Sequence, residues 1–292
     1  MTVRIEEVKS HWDANPCQSD LSTEADRRKY FDEIERKRYA HEFHVPEIGR
    51  FAAYKDKDVL EIGCGISTDG LQFARGGARY TGVDLTPAAI QTARERFQLY
   101  GVPGRFECAN AEELPFPDAS FDHVYSFGVI HHSPHPGAIV RQIHRVLRPG
   151  GTFCVMLYNR SSINYYIEIM FLRKIFRLML YPAFMPKLMS TLTGFPLWKL
   201  EGHRNLLIKR GKLTKAEWIS YNTDGPECPL AAVYNAREAR ELLKDFLDLS
   251  IEIRFFDQTH WPLIGRMMPM ALRRFLSERW GWHRIIHGRK PL

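Results

Sequence analysis

The sequence predicts an α/β protein in which a mostly parallel β-sheet carries helices on both faces. Two observations predict this fold class. Short apolar runs, which are typical of buried parallel strands, alternate with helical segments from residue 58 onward, and a glycine-rich turn directly follows the first of these runs. The connections between successive strands are long enough for helical crossovers, which we expect to be right-handed.

Local patterns justify the individual elements. Residues 58–63 form a short apolar run that ends in glycine, and Pro87 stands at a position favoured in the first turn of a helix. A Pro-Gly-Gly stop signal at 149–151 ends the helix that precedes it. The predicted strands are 58–63, 79–84, 104–110, 121–127, 152–159, 249–256 and 283–291, and the predicted helices are 68–75, 87–100, 137–147 and 236–246.

The chain divides into four predicted segments. Residues 1–50 form a charged N-terminal helical cap, and residues 51–160 form the Rossmann-like core of the sheet. After the core, the alternation of strands and helices stops for about 75 residues that are rich in Tyr, Phe, Met and Leu. We therefore predict a helical substrate-binding insert over 161–235, and we expect 236–292 to complete the sheet.

Composition excludes several classes of protein. Hydrophobic residues make up 45% and charged residues 26% of the chain, which indicates a packed globular protein rather than a disordered one. The five cysteines are odd in number and form no CxxC pair, so we predict neither a metal site nor a disulfide framework. Free thiols and the lack of an apolar leader at the N-terminus indicate a cytoplasmic protein.

The distribution of charge bears on possible partners. The formal net charge is +7, but the basic residues are spread along the chain and no RNA-binding module is recognisable, so no nucleic-acid partner is expected. The most apolar stretch, 163–184, contains four charged residues, and we therefore expect that it does not span a bilayer.

The glycine turn after the first strand carries the strongest indication of a ligand. Gly63 and Gly65 let a ligand approach the backbone closely at the start of a helix, where N–H donors are free. A dinucleotide fingerprint requires a third glycine where this chain has Thr68, which argues against NAD. Glu61 would repel a pyrophosphate but attract the sulfonium and amino groups of S-adenosylmethionine (SAM), so the electrostatics favour SAM.

Asp84, at the end of the second strand, is a second candidate for ligand binding. A carboxylate at this position can accept hydrogen bonds from both hydroxyls of a ribose. The alternative is that Asp84 caps the helix that follows Thr86. We prefer the ribose role because Asp84 lies at the expected spacing from Gly65.

Four motifs occur in order between residues 59 and 151: VLEIGCGIS, TGVDLT, CANAEELPFPDASFDHVYSFGVIHH and RQIHRVLRPGG. Together they resemble the class I SAM-dependent methyltransferases, and within them the branch that includes ubiquinone and menaquinone methyltransferases. The resemblance covers residues 55–160 and the terminal strands. It implies a Rossmann-like seven-stranded sheet whose last strand is antiparallel, with SAM as the cofactor.

The resemblance also implies which residues bind SAM. It places Glu61, Gly63 and Gly65 around the methionine part, and it places Asp84 and Leu85 at the ribose. These positions match the motifs of the family residue by residue.

The adenine side of the implied site departs from the family at one position. The family usually has an aspartate after the third strand, where this chain has Asn110, whose side-chain oxygen can accept the same hydrogen bond from the adenine amino group. Ala111 and Glu112 complete this part of the implied site. Phe127 and Gly128, after the fourth strand, are expected to line the region of the methyl donor.

Candidate catalytic residues lie where open α/β sheets place their sites, at the carboxyl ends of the strands. Methyl transfer requires the protein to align the nucleophile, to exclude water and, where needed, to remove a proton. His131 and His132 are candidate general bases because histidine titrates near neutral pH, and the alternative is a structural role in the loop. Tyr158 either orients a substrate or fills the sheet edge.

The insert after Asn159 is where we expect substrate specificity. Its first part, 163–185, is an amphipathic segment that could pack as a core or dimer helix, cover an apolar pocket or lie on a membrane surface. Its aromatic residues favour an enclosed apolar pocket. They are Tyr165, Tyr166, Phe171, Phe176, Phe184, Phe195 and Trp198.

We therefore predict a SAM-dependent methyltransferase that acts on a small, lipophilic or aromatic molecule by in-line displacement. One alternative is a SAM-binding regulatory or scaffold protein without turnover. Another is an RNA or protein methyltransferase. Against that alternative, the fourth strand ends in SFGVIHH and not in the Asn/Asp-Pro-Pro-Tyr/Phe motif of enzymes that methylate base or amide nitrogens.

Overall fold

The computed structural model describes residues 3–17, 21–209, 213–257 and 267–292. The strands are β1 (Asp58–Ile62), β2 (Arg79–Asp84), β3 (Arg105–Cys108), β4 (Phe121–Phe127), β5 (Leu147–Asn159), β6 (Val233–Tyr234), β7 (Leu247–Arg254) and β8 (His283–Arg289). The helices that pack on the sheet are α4 (Thr68–Arg75), α5 (Pro87–Tyr100), α6 (Pro136–Val146) and α11 (Ala236–Leu242).

The remaining helices belong to the N-terminal cap, to the insert and to the segment before β8. The N-terminal cap contains α1 (Ile5–Ala14), α2 (Arg27–His41) and α3 (Val45–Gly49). The insert begins with a π-helix (Asn164–Leu172) and continues with α7 (Arg173–Met179), α8 (Met185–Thr193), α9 (Leu197–Lys209) and α10 (Lys215–Thr223). Before β8 comes α12 (Met270–Trp280). Short 3-10 turns occupy Phe51–Tyr54 and Ile130–His132.

The sheet has the strand order β3-β2-β1-β4-β5-β8-β7, with β6 paired to the end of β5. Strands β1 to β5 pair in parallel, and β8 is antiparallel to both β5 and β7. The predicted Rossmann-like fold is therefore confirmed, including its antiparallel last strand. The two-residue strand β6 lies where the sequence predicts none, because an element this short carries no periodic pattern.

Two apolar layers hold the sheet between its helices. Alternate side chains of a strand point to opposite faces, so Cys154 and Met156 of β5 pack on one side while Phe153 and Val155 pack on the other. Helices α4 and α5 and part of the insert cover the first face, and α6 and α11 cover the second. This two-sided burial explains why the strands appear in the sequence as continuous apolar runs.

Most predicted boundaries agree with the structure to within a few residues, and α4, β2 and β4 have the predicted bounds. The largest difference is in β5, which begins at Leu147 and not at residue 152. Gly150 donates to the carbonyl of Lys290, and Lys290 donates to the carbonyl of Gly151. These bonds extend the pairing of β5 toward its N-terminus, before the predicted start at residue 152.

The cap and the insert are helical, as the sequence predicts. The division of the chain into four segments stays a prediction. Within the described ranges, none of the helices combines the length and the hydropathy needed to cross a bilayer.

Candidate active site

A cavity of about 650 Å³ lies at the carboxyl ends of β1, β2, β4 and β5, where an open α/β sheet places its ligand. The N-terminal cap forms part of its wall through Ile5, Val8 and Trp12 of α1. Eleven of the thirteen site residues predicted from the sequence line this cavity. They are Glu61, Gly63, Gly65, Asp84, Leu85, Asn110, Ala111, Phe127, Gly128, His132 and Tyr158.

The two glycines of the turn differ in what surrounds them. The backbone N–H groups of Gly63 and Cys64 both donate to the carbonyl of Val83, at 2.7 and 3.0 Å, which fixes the turn against β2. Gly63 has a φ of +70°, and a Cβ there would lie 2.1 Å from Cγ2 of Val129. Gly65 has a φ of +52°, and a Cβ there would meet no atom within 4 Å. Gly63 is therefore required by packing, whereas Gly65 leaves open space beside the backbone.

Thr68 occupies the position at which a dinucleotide fingerprint has its third glycine. Its Oγ1 accepts a hydrogen bond of 2.7 Å from Nη1 of Arg96, and both side chains are buried. A side chain anchored in this way takes the room that the third glycine would provide, which agrees with the sequence argument against NAD.

Asp84 holds the turn and also lines the cavity. Its Oδ2 accepts from the backbone N–H of Gly65 at 2.9 Å, and its Oδ1 accepts from both the backbone N–H and the hydroxyl of Thr86 at 2.9 Å. Burial raises the pKa of Asp84, and these hydrogen bonds partly oppose the rise. The capping contact considered from the sequence is thus present, in a residue that lies at the predicted place for a ribose.

Glu61 is a buried carboxyl group at the cavity wall. Its Oε2 accepts a hydrogen bond of 2.5 Å from the hydroxyl of Tyr80. Burial and the nearby charge of Asp69 raise the pKa of Glu61 well above its usual value. Among the described residues, no basic side chain lies within ion-pair distance of Glu61. The site therefore suits a cationic ligand, which would stabilise the ionised form.

Arg38 of α2 is a residue at this site that the sequence analysis missed. Its Nε and Nη2 donate to the two carboxylate oxygens of Asp69, at 3.0 and 2.7 Å, and its Nη1 donates to Glu42 at 2.7 Å. All three residues line the cavity and are largely buried. Arg38 is engaged with these two carboxylates, and its single positive charge offsets only one of them. Glu61 has no ion-pair partner of its own among the described residues.

Asn110 lies at the cavity in a local turn. Its Oδ1 accepts a hydrogen bond of 3.0 Å from the backbone N–H of Glu112. The side chain of Glu112 turns away and accepts from the hydroxyl of Ser133 at 2.6 Å, and Glu112 does not line the cavity. We therefore leave Glu112 out of the proposed site, while the roles of Asn110 and Ala111 stay predictions.

His132 is held with one ring nitrogen available to the cavity. Its Nδ1 lies 2.6 Å from the carbonyl oxygen of Leu230, which can only accept, so Nδ1 carries the proton in the neutral ring. Its Nε2 lies 3.7 Å from Oδ2 of Asp224, and the hydroxyl of Tyr158 donates to Oδ1 of Asp224 at 2.8 Å. Trp12 of the cap packs edge-on against the His132 ring, at 5.1 Å between centroids.

Asp224 is the second residue that the sequence analysis did not place in a catalytic role. It directly follows α10 in the insert. The turn brings its carboxylate between His132 and Tyr158, so that the three side chains form one hydrogen-bonded and charged group at the cavity.

His131 differs from His132 in its surroundings. It is fully buried, does not line the cavity, and packs its ring 3.8 Å from the centroid of the Tyr158 ring. Burial and the neighbouring His132 lower the pKa of His131 well below its usual value, so it stays neutral. A buried neutral ring that does not face the cavity is not placed to take a proton from a substrate, and we leave His131 out of the proposed mechanism.

The aromatic residues of the insert that were expected to line an apolar pocket do not line this cavity. Of the seven aromatic residues singled out from the sequence, Tyr165 is buried, and none lines the cavity. The apolar wall comes from the N-terminal cap instead, through Ile5, Val8, Trp12 and Leu21. An amphipathic pattern specifies an apolar face but not its partner, which explains the difference.

Three side chains beside the cavity could also hold a metal ion. One ligand atom each from His132, Asp224 and Cys228 lies within 4.8 Å of the others. Burial raises the pKa of the Cys228 thiol, so the thiol is protonated in this structure. The sequence predicts no metal, and this group was not expected because its members are distant along the chain.

Comparison with known proteins identifies the segment that contains the glycine turn, Asp84 and His132. Residues 60–155 match the family model described as a methyltransferase domain. This segment is a class I SAM-dependent methyltransferase domain. Its cofactor is SAM, as the charge of Glu61 and the motifs predict.

Three curated relatives are similar to the methyltransferase domain over part of their length. A 27-O-demethylrifamycin SV methyltransferase of Amycolatopsis mediterranei is 40% identical over 96 residues, which are 32% of this chain and 35% of the relative. A sterol 4-C-methyltransferase of Caenorhabditis elegans is 36% identical over 98 residues, 33% of this chain and 29% of the relative. A phthiotriol/phenolphthiotriol dimycocerosates methyltransferase of Mycobacterium leprae is 40% identical over 97 residues, 32% of this chain and 35% of the relative. The chain thus spans about a third of the length of these relatives.

Two solved structures share the fold over nearly the whole chain. The [4+2]-cyclase SpnF superposes with a TM-score of 0.55 at 17% identity and covers 98% of this chain and 95% of its own. A protein of Pyrococcus horikoshii superposes with a TM-score of 0.55 at 16% identity and covers 97% of this chain and 99% of its own. The overall fold of this chain therefore occurs in other proteins.

Proposed function

We propose that this protein transfers the methyl group of SAM to a small lipophilic molecule, with His132 as the general base. The observation that carries the proposal is that one cavity contains both the residues proposed to bind SAM and the proposed base. Glu61 and Asp84 line it on the side of the glycine turn, and His132 with Asp224 lines it beside Tyr158. A cofactor site and a base that share one cavity meet the requirement of a methyl transfer that also removes a proton.

The residues around the glycine turn fit SAM. When bound, SAM supplies a methyl group that is already activated on a sulfonium. Asp84 would accept hydrogen bonds from the ribose hydroxyls next to Leu85, and Glu61 would pair with the cationic methionine part beside Gly65. These roles are supported by the open space at Gly65 and by the buried carboxyl of Glu61, which has no ion-pair partner in the described part of the chain.

On the adenine side, we propose that Asn110 accepts a hydrogen bond from the adenine amino group and that Ala111 packs beside the ring. Oδ1 of Asn110 keeps a second lone pair after it accepts from the backbone N–H of Glu112. Phe127 and Gly128 would line the path of the methyl group, since both line the cavity after β4.

The substitution Glu61→Gln is expected to weaken SAM binding by about 10- to 100-fold, the range for a lost hydrogen bond to a charged group. Because the pKa of Glu61 is raised, lowering the pH protonates this carboxyl and removes the partner of a cation. The affinity of the unmodified protein should therefore fall as the pH is lowered, and binding should release a proton. Titration calorimetry in buffers of different ionisation enthalpy measures both quantities.

The control for this prediction is Glu113→Gln, which removes the same charge from an exposed position outside the cavity. We expect Glu113→Gln to bind SAM as the unmodified protein does, and Glu61→Gln to lose most of the pH dependence. An affinity of the unmodified protein that rises toward acid pH would contradict the role of Glu61.

His132 is placed to move the proton of the acceptor. Its Nδ1–H is fixed by the carbonyl of Leu230, so Nε2 is the atom that can take a proton. The carboxylate of Asp224, 3.7 Å away, would stabilise the imidazolium that forms. Burial raises the pKa of Tyr158 well above its usual value, which keeps its hydroxyl a donor that orients Asp224.

A lipophilic acceptor is supported by the wall of the cavity and by the relatives. Ile5, Val8, Trp12 and Leu21 of the cap, together with Met156 of β5, give the cavity an apolar lining. The relatives are named for methylating a rifamycin, a sterol and phthiotriols. Large apolar or aromatic molecules are thus the first acceptors to test.

Two further assignments rest on the sequence motifs and composition. We propose that the chain belongs to the branch that includes ubiquinone and menaquinone methyltransferases, and that it acts in the cytoplasm on a small molecule and not on nucleic acid. The free thiols and the spread of its basic residues support the second assignment.

The test of the proposed function is release of S-adenosylhomocysteine from SAM in the presence of a panel of sterols, polyketides, quinols and phenols, followed by mass spectrometry. We expect one class of acceptor to gain the mass of a methyl group in step with S-adenosylhomocysteine. Tight SAM binding without turnover across the panel would favour a SAM-binding regulatory protein. Because the [4+2]-cyclase SpnF shares the fold, the products should also be searched for isomers without added mass.

A further inference from the structure

The insert presents an unusual amount of apolar surface to solvent. Of the 23 large apolar side chains that are exposed in the described part of the chain, 15 fall between Tyr166 and Ile208. Leu178 is 72% exposed and Leu192 is 71% exposed. Single exposed apolar residues are normal on a protein surface, but a concentration of this kind marks a surface that contacts something.

These exposed residues lie on a packed structure. Leu180 and Leu200 of the insert are buried, and the buried guanidinium of Arg177 lies 4.6 Å from the ring of Trp218 in α10. Nη2 of Arg177 lies 3.3 Å from Nδ1 of His203, which joins α7 to α9. The insert thus has its own inner side, and the exposed apolar residues form its outer side.

The charges on this segment are of one sign. Between Glu168 and Glu201 the chain has five basic residues and no acidic one. Lys174 and Lys187 are exposed, and Lys199 is partly exposed. Glu168 does not offset them, because it is buried and pairs with Arg173.

We propose that the outer side of the insert, the exposed apolar and basic residues of 166–208, docks on the surface of a lipid bilayer that contains anionic lipids. Apolar side chains interleaved with lysines are the pattern of elements that lie at the membrane interface. Tyr166, Tyr181 and Trp198 are among the exposed residues, and such rings favour the headgroup level. Among the described residues of the insert, no helix is both long and apolar enough to cross a bilayer.

The charges favour a membrane over a second copy of this chain. A two-fold symmetric contact through this surface would place Lys174, Lys187 and Lys199 of one copy near the same residues of the other. Anionic headgroups complement these lysines, and each basic residue near such a surface strengthens binding about fivefold.

Docking here would bring a lipid surface near the cavity described above. Trp218 of α10 donates from Nε1 to the carbonyl of Ile169 in the π-helix, at 2.9 Å, and Asp224, which directly follows α10, lies in the cavity wall. One helix therefore links the insert that carries the docking surface to Asp224, the side chain beside the proposed base His132. The proposal goes beyond the proposed methyl transfer, and it can be tested without SAM or an acceptor.

The experiment is co-sedimentation of the full chain with vesicles of phosphatidylcholine alone and of phosphatidylcholine mixed with phosphatidylglycerol. We expect binding to the anionic vesicles that weakens with added salt, and much less binding to the neutral ones. The triple variant Lys174→Glu, Lys187→Glu, Lys199→Glu should lose about 100-fold in the partition coefficient. The pair Leu178→Ser, Leu192→Ser should lose about tenfold or more through its missing apolar contact.

The control is the triple variant Lys9→Glu, Lys29→Glu, Lys57→Glu, which makes the same change of net charge at exposed positions outside the insert. Circular dichroism should show that all variants are folded. Equal losses in both triple variants, or no binding of the unmodified chain to anionic vesicles, would overturn the proposal. A concentration-dependent dimer in sedimentation velocity that the leucine pair abolishes, without vesicle binding, would assign the surface to a second copy instead.

Discussion

Replacing His132 with alanine is expected to lower kcat by about 100- to 10,000-fold, the contribution of a positioned general base, while the Kd for SAM changes little. The expectation follows from the geometry of the ring. Nδ1 is committed to the carbonyl of Leu230, and Nε2 is left to take the proton of the acceptor beside Asp224. The measurement is the initial rate of S-adenosylhomocysteine formation at saturating SAM, with the acceptor that the panel identifies.

Two further variants separate a base from a structural residue. His135→Ala changes a neighbouring exposed histidine outside the cavity and should leave kcat unchanged. Asp224→Asn should lower kcat by about tenfold, or about 1.4 kcal/mol, because Asp224 is partly exposed and its attraction for the imidazolium is screened. Added imidazole should restore part of the activity of His132→Ala.

Two results would contradict the role of His132 as general base. One is a kcat within a few-fold of the original in His132→Ala. The other is loss of activity of the unmodified protein in a chelator, with recovery on adding zinc, which would make His132 a metal ligand together with Asp224 and Cys228.

Replacing Asp84 with alanine is expected to weaken SAM binding by about 100-fold or more. Each hydrogen bond to a charged carboxylate contributes about 1.5–3 kcal/mol, and two ribose hydroxyls lose their acceptor. The backbone N–H of Gly65 also loses its partner, so the turn that would receive the cofactor is less ordered. Calorimetric titration with SAM measures the change in Kd.

The control for Asp84 tests the alternative that it only caps the turn. Thr86→Val removes the hydroxyl that donates to Oδ1 of Asp84 but keeps the carboxylate and the backbone contact. We expect Thr86→Val to bind SAM within a few-fold of the unmodified protein. If Asp84→Ala lowers Tm but leaves the Kd for SAM unchanged, then the residue caps the turn and does not hold the ribose.

The features predicted well from the sequence are those encoded locally. The glycine turn, Asp84 at the end of β2 and the bounds of α4 each depend on a few adjacent residues, so a pattern of apolar runs and glycines suffices to place them. The parallel core follows, because strands and helices that alternate at this spacing have few ways to pack.

The features that were missed depend on residues far apart in the chain. Arg38 is 31 positions before Asp69, and nothing in either sequence context announces the partner. Two signals in the sequence could have indicated this pair. One is a charged helix, α2, that buries one face, and the other is Asp69 in the first turn after the glycine loop. The contact of Asp224 with His132 is likewise set by the path of the insert, which no local pattern describes.

The antiparallel strand β8 determines when a newly made chain can complete its sheet. Asn159, at the end of β5, is held by Arg284 of β8, which follows it by 125 residues, and by the carbonyl of Gly281. While the chain emerges from the ribosome, one edge of β5 therefore stays unpaired until the whole insert has been synthesised. Pairing across such a distance is slow, and an open apolar edge invites association with other chains. Until β8 has been synthesised, that edge of β5 therefore stays unpaired and the cavity lacks its wall at His283.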